Sequence, residues 1–132
     1  MRYQNQRRIK SKPAPAPIGP YNQATLIGDF LYTSGQIAMD VTTGELKTND
    51  IEAETELVMQ HLKAILSEAE MSFDQVIKVS IFISDMNNFA KINQVYAKYF
   101  SEANAPARET VEVACLPKNV NVEISLIAHK QA

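Results

Sequence analysis

The amino-acid sequence predicts an α+β fold: a mixed β-sheet with two helices packed on one face. Three observations carry this expectation. Two segments, from Asn49 or Asp50 to Ala69 and from Asn87 or Asn88 to Phe100, each hold one apolar stripe at helical spacing. Short runs that alternate apolar and polar residues lie before, between and after them. The order is strand, helix, strand, helix, strand, and a single stripe per helix implies a single helical layer.

The elements follow in chain order. Residues 1–12 are polar and basic, with Arg2, Arg7, Arg8 and Lys10, and read as a flexible arm before a single domain over 13–132. Lys12 to Pro17 is Pro-rich and should be extended. Thr25-Leu26-Ile27 and Phe30-Leu31-Tyr32-Thr33 flank Gly28-Asp29, a hairpin pattern. A strand is expected from Gly35 to Met39, closed by a turn at Thr42–Glu45. In the first helix Val58, Leu62, Ile65, Leu66 and Ala69 form the buried stripe. Glu52, Glu54 and Glu56 are read as a solvated first turn that favours the positive end of the helix dipole. Val76 to Ser84 reads as a strand with Ile77, Val79, Ile81 and Ile83 on one face and Lys78, Ser80 and Ser84 on the other. In the second helix Phe89, Ile92, Tyr96 and Tyr99 share a side.

Bulk properties narrow the class. The chain has 132 residues, 45% of them hydrophobic and 21% charged, which suits one globular domain. A net charge of −2 argues against nucleic acid as the main partner. One cysteine excludes an internal disulfide, and no apolar run reaches the ~18 residues of a membrane span. The basic N-terminus leads into Pro-Ala-Pro-Ala-Pro rather than an apolar segment, so the expected location is cytoplasmic. His61 and His129 lack neighbouring ligands, so no metal is expected. With four glycines and no phosphate-cradling loop, no nucleotide cofactor is expected either.

The most informative stretch is PARETVEVACLPKNVNVEI, residues 106–124. Two alternating runs flank a Leu116-Pro117-Lys118-Asn119 break. Arg108 enters a strand straight after Pro-Ala, where a permanent charge calls for an anion. It reads either as a fork-like clamp on a carboxylate or as a structural ion pair with a Glu. Glu123 reads either as a solvated residue or as a half-buried acid with a raised pKa, suited to proton transfer. If the two runs form an antiparallel pair about Lys118, Glu123 lies opposite Glu112 or Val113, ~13 Å along the strand from Arg108. A small substrate then needs more than one subunit.

This stretch, with Ala16-Pro17-Ile18-Gly19-Pro20-Tyr21, Gln23 and Thr33-Ser34-Gly35-Gln36-Ile37, resembles the signature of the RidA/YjgF family of reactive-intermediate deaminases. The resemblance covers roughly residues 14–129. It implies a chorismate-mutase-like homotrimer with clefts between subunits. It also implies hydrolysis of small 2-imino or enamine acids, such as 2-iminobutanoate and 2-iminopropanoate, to 2-keto acids and ammonia, without a cofactor. Arg108 would clamp the carboxylate, and Glu123 with the Thr110 carbonyl would hold water. Tyr21 would cover the ligand, and Ser34 and Gly35 would line the cleft. Many members carry Cys where this chain has Thr110, so a backbone role survives and a thiol role does not. The loop before Pro106 is about one residue shorter than in typical members. Two other readings remain: a non-catalytic trimer that binds keto or amino acids through the same Arg108, and an RNA-directed ribonuclease or translation inhibitor that would use the basic arm Arg2–Lys10.

Overall fold

The computed structural model describes residues 6–132. Six strands form one sheet: β1 (Gln6–Ile9), β2 (Ala24–Ile27), β3 (Phe30–Thr33), β4 (Val76–Ile83), β5 (Ala107–Glu112) and β6 (Val122–His129). Their spatial order is β1-β2-β3-β6-β4-β5. All neighbours are antiparallel except β4 and β5. Two helices, α1 (Ile51–Glu68) and α2 (Phe89–Tyr96), cover one face. The mixed sheet with a single helical layer is the expected fold class.

Asp50 caps α1, its side chain accepting from Glu52 N. The stripe Val58, Leu62, Ile65, Leu66 and Ala69 is buried against Val79, Ile81, Ile83, Val122, Ile124, Leu126 and Ala128. At ~1.5–3 kcal/mol for each fully buried aliphatic side chain, this stripe is a main source of stability. α2 is shorter than its pattern suggests. Beyond Tyr96 the bonds tighten to Lys98 N→Val95 O and Tyr99 N→Tyr96 O. Tyr99 and Phe100 instead pack on Phe73, with ring centroids 5.0 and 5.4 Å away. The Tyr99 hydroxyl donates to Glu56 of α1; burial and this carboxylate push its pKa up to about 12.

Four expectations need correction. First, Gln6–Ile9 is not a loose arm but an edge strand on β2, and Ile9 is buried in the core. Gln23 also ties the Pro-rich segment down, accepting from Ser11 N and donating to Ser11 O, Ala14 O and Pro15 O. Arg2, part of the expected arm, lies outside the described residues. Second, β4 shifts register between Val76 and Lys78, so Val76 enters the core and Ile77 is exposed. Third, Gly35–Met39 is no strand. Leu126 N turns to the Thr33 hydroxyl, and the chain touches β6 again only at Gln36↔Ile124. Fourth, the two last strands are not a hairpin: β4 lies between β5 and β6. The Pro117 segment is a 3-10 turn with Lys118 and Asn119 at φ 56° and 57°, and it carries the chain across β4.

Candidate functional site

Register assigns each candidate to a face. Arg108 pairs with Val79, and Thr110 with Ile81. Val79 and Ile81 are core residues, so Arg108 and Thr110 point toward the helical layer, at the β5 edge. Glu123 pairs with Phe82, on the open face. Arg108 and Glu123 lie three residue rows and two strand spacings apart, ~14 Å at ~3.3 and ~4.8 Å each, and on opposite faces. One chain therefore does not bring Arg108 and Glu123 to one small molecule.

The Arg108 half is built with α2. Nη1 donates to Asn93 Oδ1 at 2.8 Å, and the guanidinium lies 4.8 Å from the Tyr96 ring centroid and 5.7 Å from that of Phe89. As helix residues Asn93 and Phe89 read from sequence either as cleft borders or as packing, and both lie against the guanidinium. The phenol of Tyr96 is raised above its ordinary pKa by burial, with Arg108 pulling the other way. Among the described residues Arg108 has no carboxylate partner, so the ion-pair reading fails. A half-buried guanidinium, braced on one side and stacked on aromatics, has donors left for an external anion. The Thr110 hydroxyl beside it is buried without a hydrogen-bond partner.

The Glu123 half is built with the loop after β3. A Cβ placed on Gly35 would lie 2.5 Å from Glu123 Oε2, so only glycine lets the loop run this close to the carboxylate. Burial raises the pKa of Glu123, and no cation opposes the shift. This is the sequence expectation of a half-buried acid. Ser34 N donates to Gln23 O at 2.8 Å, and Ser34 Oγ donates to Asn22 O at 2.5 Å. The Ser34 proton is thus committed to the backbone, leaving only its lone pairs for a ligand. Tyr21 is half-exposed and lines a small hollow with Gly35, Gln36, Ile18 and Met39.

The open face that carries Glu123 is neither core nor ordinary surface. It bears Phe30, Tyr32, Val111 and Ile127 beside the Lys78–Glu109 ion pair at 2.8 Å, with Ser80 donating to Glu109.

Fold and site define a small α+β domain with a half-buried, ring-stacked guanidinium on one face and a half-buried acid against a glycine on the other. Comparison with known proteins gives the family. The family described as Endoribonuclease L-PSP matches residues 11–130. A RutC family protein of Pyrococcus horikoshii is 50% identical over 93% of this chain and 97% of its own length. Among solved structures, a Rid-family protein of Yersinia pestis superposes with TM-score 0.90 at 44% identity, covering 94% of this chain and 98% of that one. Escherichia coli TdcF, solved with bound serine, gives TM-score 0.87 at 40% identity over 93% of this chain and 98% of its own. The chain belongs to the L-PSP family, the RidA/YjgF group of Rid proteins. Among the described residues no helix is long and apolar enough to cross a membrane.

Proposed function

We propose that the protein hydrolyses small 2-imino or enamine acids to 2-keto acids and ammonia, as a homotrimer whose sites lie between subunits. The observation that carries the reading is Arg108, a half-buried guanidinium stacked on Tyr96 and Phe89 with no carboxylate of its own. Small α-imino acids offer the matching carboxylate. The opposite placement of Glu123 supports a site shared between chains. So does the half-apolar open face, whose aromatic and aliphatic groups suit a subunit interface.

The chemistry asks little of the protein. A protonated imine carbon is already electrophilic, so the reaction needs an anchored carboxylate, a placed water and a proton carrier. Arg108 anchors the carboxylate. Glu123 of a neighbouring copy takes a proton as water forms a C–O bond at the imine carbon. The same acid returns a proton to nitrogen; the C–N bond breaks as the hydroxyl oxygen forms C=O and gives its proton to Glu123, which passes it to solvent, and ammonia and a keto acid leave. A raised pKa suits this exchange near neutrality. The Thr110 carbonyl helps hold the water, Ser34 and Gly35 line the cleft, and Tyr21 covers it. This chemistry requires no metal or organic cofactor.

A coupled assay tests the proposal: a threonine dehydratase generates the imine, and keto-acid release is followed with and without the protein. Acceleration supports the reading; an unchanged rate with tight keto-acid binding favours the second reading, a trimer that binds keto or amino acids and regulates a partner. The serine bound to the E. coli relative favours that alternative, because an amino acid offers the same carboxylate. The family description favours an RNA-directed role, for which the arm Arg2–Lys10 supplies the basic cluster. Salt-dependent gel retardation tests it.

A further inference from the structure

Glu54 reads from sequence as part of a solvated helix turn, yet the structure buries it completely, at 0% exposure. Its carboxyl oxygens accept three N–H groups, all from the residues that open β6. These are Asn121 Nδ2 at 2.7 Å, Asn121 N at 2.8 Å and Val122 N at 3.3 Å. Asn121 Nδ2 also reaches Thr48 O at 3.3 Å, and Asn121 O accepts from Ser84 N at 3.1 Å. The residue two before Glu123 is therefore tied to α1, to the loop before α1 and to the end of β4. No cation accompanies Glu54 among the described residues, so its hydrogen bonds alone offset its burial.

An apolar pair of the same shape could replace a buried hydrogen-bonded pair at little cost in stability. What it could not replace is the fixed direction of these bonds. Direction matters here because β6 is entered from a turn with two left-handed residues, Lys118 and Asn119, which does not pin register as a tight hairpin would. A slip of one residue would turn Glu123 to the helical face. A smaller shift would lift its carboxylate off Gly35, where the clearance is less than one methyl group.

We propose that Glu54, acting through Asn121, is a positioning residue that holds the Glu123 carboxyl against Gly35 for the deaminase reaction. The proposal rests on the function proposed above. Glu54 does not touch the substrate, and its bonds at Val122, opposite Ile83, lie four residue rows and two strand spacings from Arg108 on the same helical face. The other charged or titratable groups on the face of Glu123 are Lys78 and Glu109, paired with each other, Tyr32 and His129 on the β3 side, and Arg8 three strands away on β1. Loss of the tie should therefore alter Glu123 and turnover while leaving carboxylate binding intact.

The test compares Asn121→Ala, Glu54→Leu and Glu54→Gln with the wild type. Asn121→Ala keeps the backbone bonds to Glu54 and should lower kcat about fivefold, with KM and keto-acid affinity changed less than about twofold. Glu54→Leu should lower kcat about thirtyfold or more with the same split. Glu54→Gln should lose less than Glu54→Leu, because its Oε1 still accepts both backbone N–H groups, while turning the Asn121 amide to meet Nε2 gives up the bond to Thr48 O. A substrate-free 13C NMR titration of Glu123 should move toward the ordinary carboxylate range in Asn121→Ala. Wild-type kcat and an unmoved Glu123 titration in Asn121→Ala would overturn the proposal. So would kcat and keto-acid binding falling together. Should Glu54→Leu not fold, Asn121→Ala decides alone. Should the wild type show no deaminase activity, the functional reading falls, and the Glu123 titration still decides whether Glu54 positions it.

Discussion

Arg108 sits on the edge strand β5 beneath α2, whereas Glu123 sits inside the sheet on β6, against the loop after β3. The first half is held by aromatic faces and one side-chain hydrogen bond. The second is held by backbone: a glycine with no room for a Cβ and a strand entry tied to Glu54. An anion clamp has to keep donors free, so its neighbours support it from behind. A proton carrier has to keep a raised pKa, so its neighbours exclude water and offer no cation. On the proposed roles, binding and turnover rest on separate parts of this chain, and mutations should separate them.

The largest expected effect is Glu123→Gln. Keto-acid binding should persist while kcat falls by about a hundredfold or more, the usual scale for a lost proton carrier. Lost binding with turnover per bound substrate intact would reverse the roles of the two halves. The same variant carries a stability signature. Glu123 has a raised pKa in the folded state, so between its unfolded and folded values the native protein holds more protons than the unfolded chain. Its contribution is present below the unfolded value and is lost as pH rises through the folded value. Chemical denaturation from acid toward neutral pH should show the wild type losing stability relative to Glu123→Gln.

Arg108→Lys should be nearly as poor as Arg108→Ala, with kcat/KM down roughly tenfold to a hundredfold, since charge-assisted bonds are worth ~1.5–3 kcal/mol each. Lys keeps the charge and loses the planar fork and its stacking on Tyr96. Wild-type-like steady-state kinetics in this variant would show that Arg108 is not a fork-type clamp. Gly35→Ala sits lower on the scale. The new Cβ forces the Glu123 carboxylate to swing away, so kcat should fall about tenfold while the Arg108 half still binds a keto acid. Calorimetry with 2-ketobutyrate checks the second part.

The smallest expected effect is Cys115→Ser, within about twofold in kcat, a barrier difference below ~0.5 kcal/mol. Strand alternation continued past Val113 would aim Cys115 at the sheet face opposite Arg108. The structure instead ends β5 at Glu112 and exposes Cys115 in the following loop. Mass spectrometry should therefore show ready alkylation, with turnover retained. Inactivation prevented by bound keto acid would place the thiol at the site.

Much of this fold was legible because it rests on local periodicity. The α1 stripe, its Asp50 cap, the Gly28-Asp29 hairpin and the alternation of β6 all need only neighbouring residues. Arg108 stood out because a permanent charge beside Pro-Ala in a strand has few uses. What stayed hidden depends on distant partners. Nothing local in Leu116–Asn119 shows that β4 inserts between β5 and β6. The bulge at Val76/Lys78 reverses strand parity without a glycine to mark it. Glu54 shares its surroundings in sequence with Glu52 and Glu56, and only the approach of Asn121 sets it apart. One signal was available: Glu54 lies four residues before Val58, at helical spacing from the apolar stripe.

The central claim is that Arg108 of one subunit works with Glu123 of another. Mixing two inactive variants tests it most directly. Arg108→Ala and Glu123→Gln chains, unfolded together in equal amounts and refolded, should form mixed trimers. At random assembly about one quarter of the shared sites then have both residues intact, so turnover should return to roughly one quarter of wild type. No recovery from correctly assembled mixed trimers, or an active monomer by light scattering, would contradict the account.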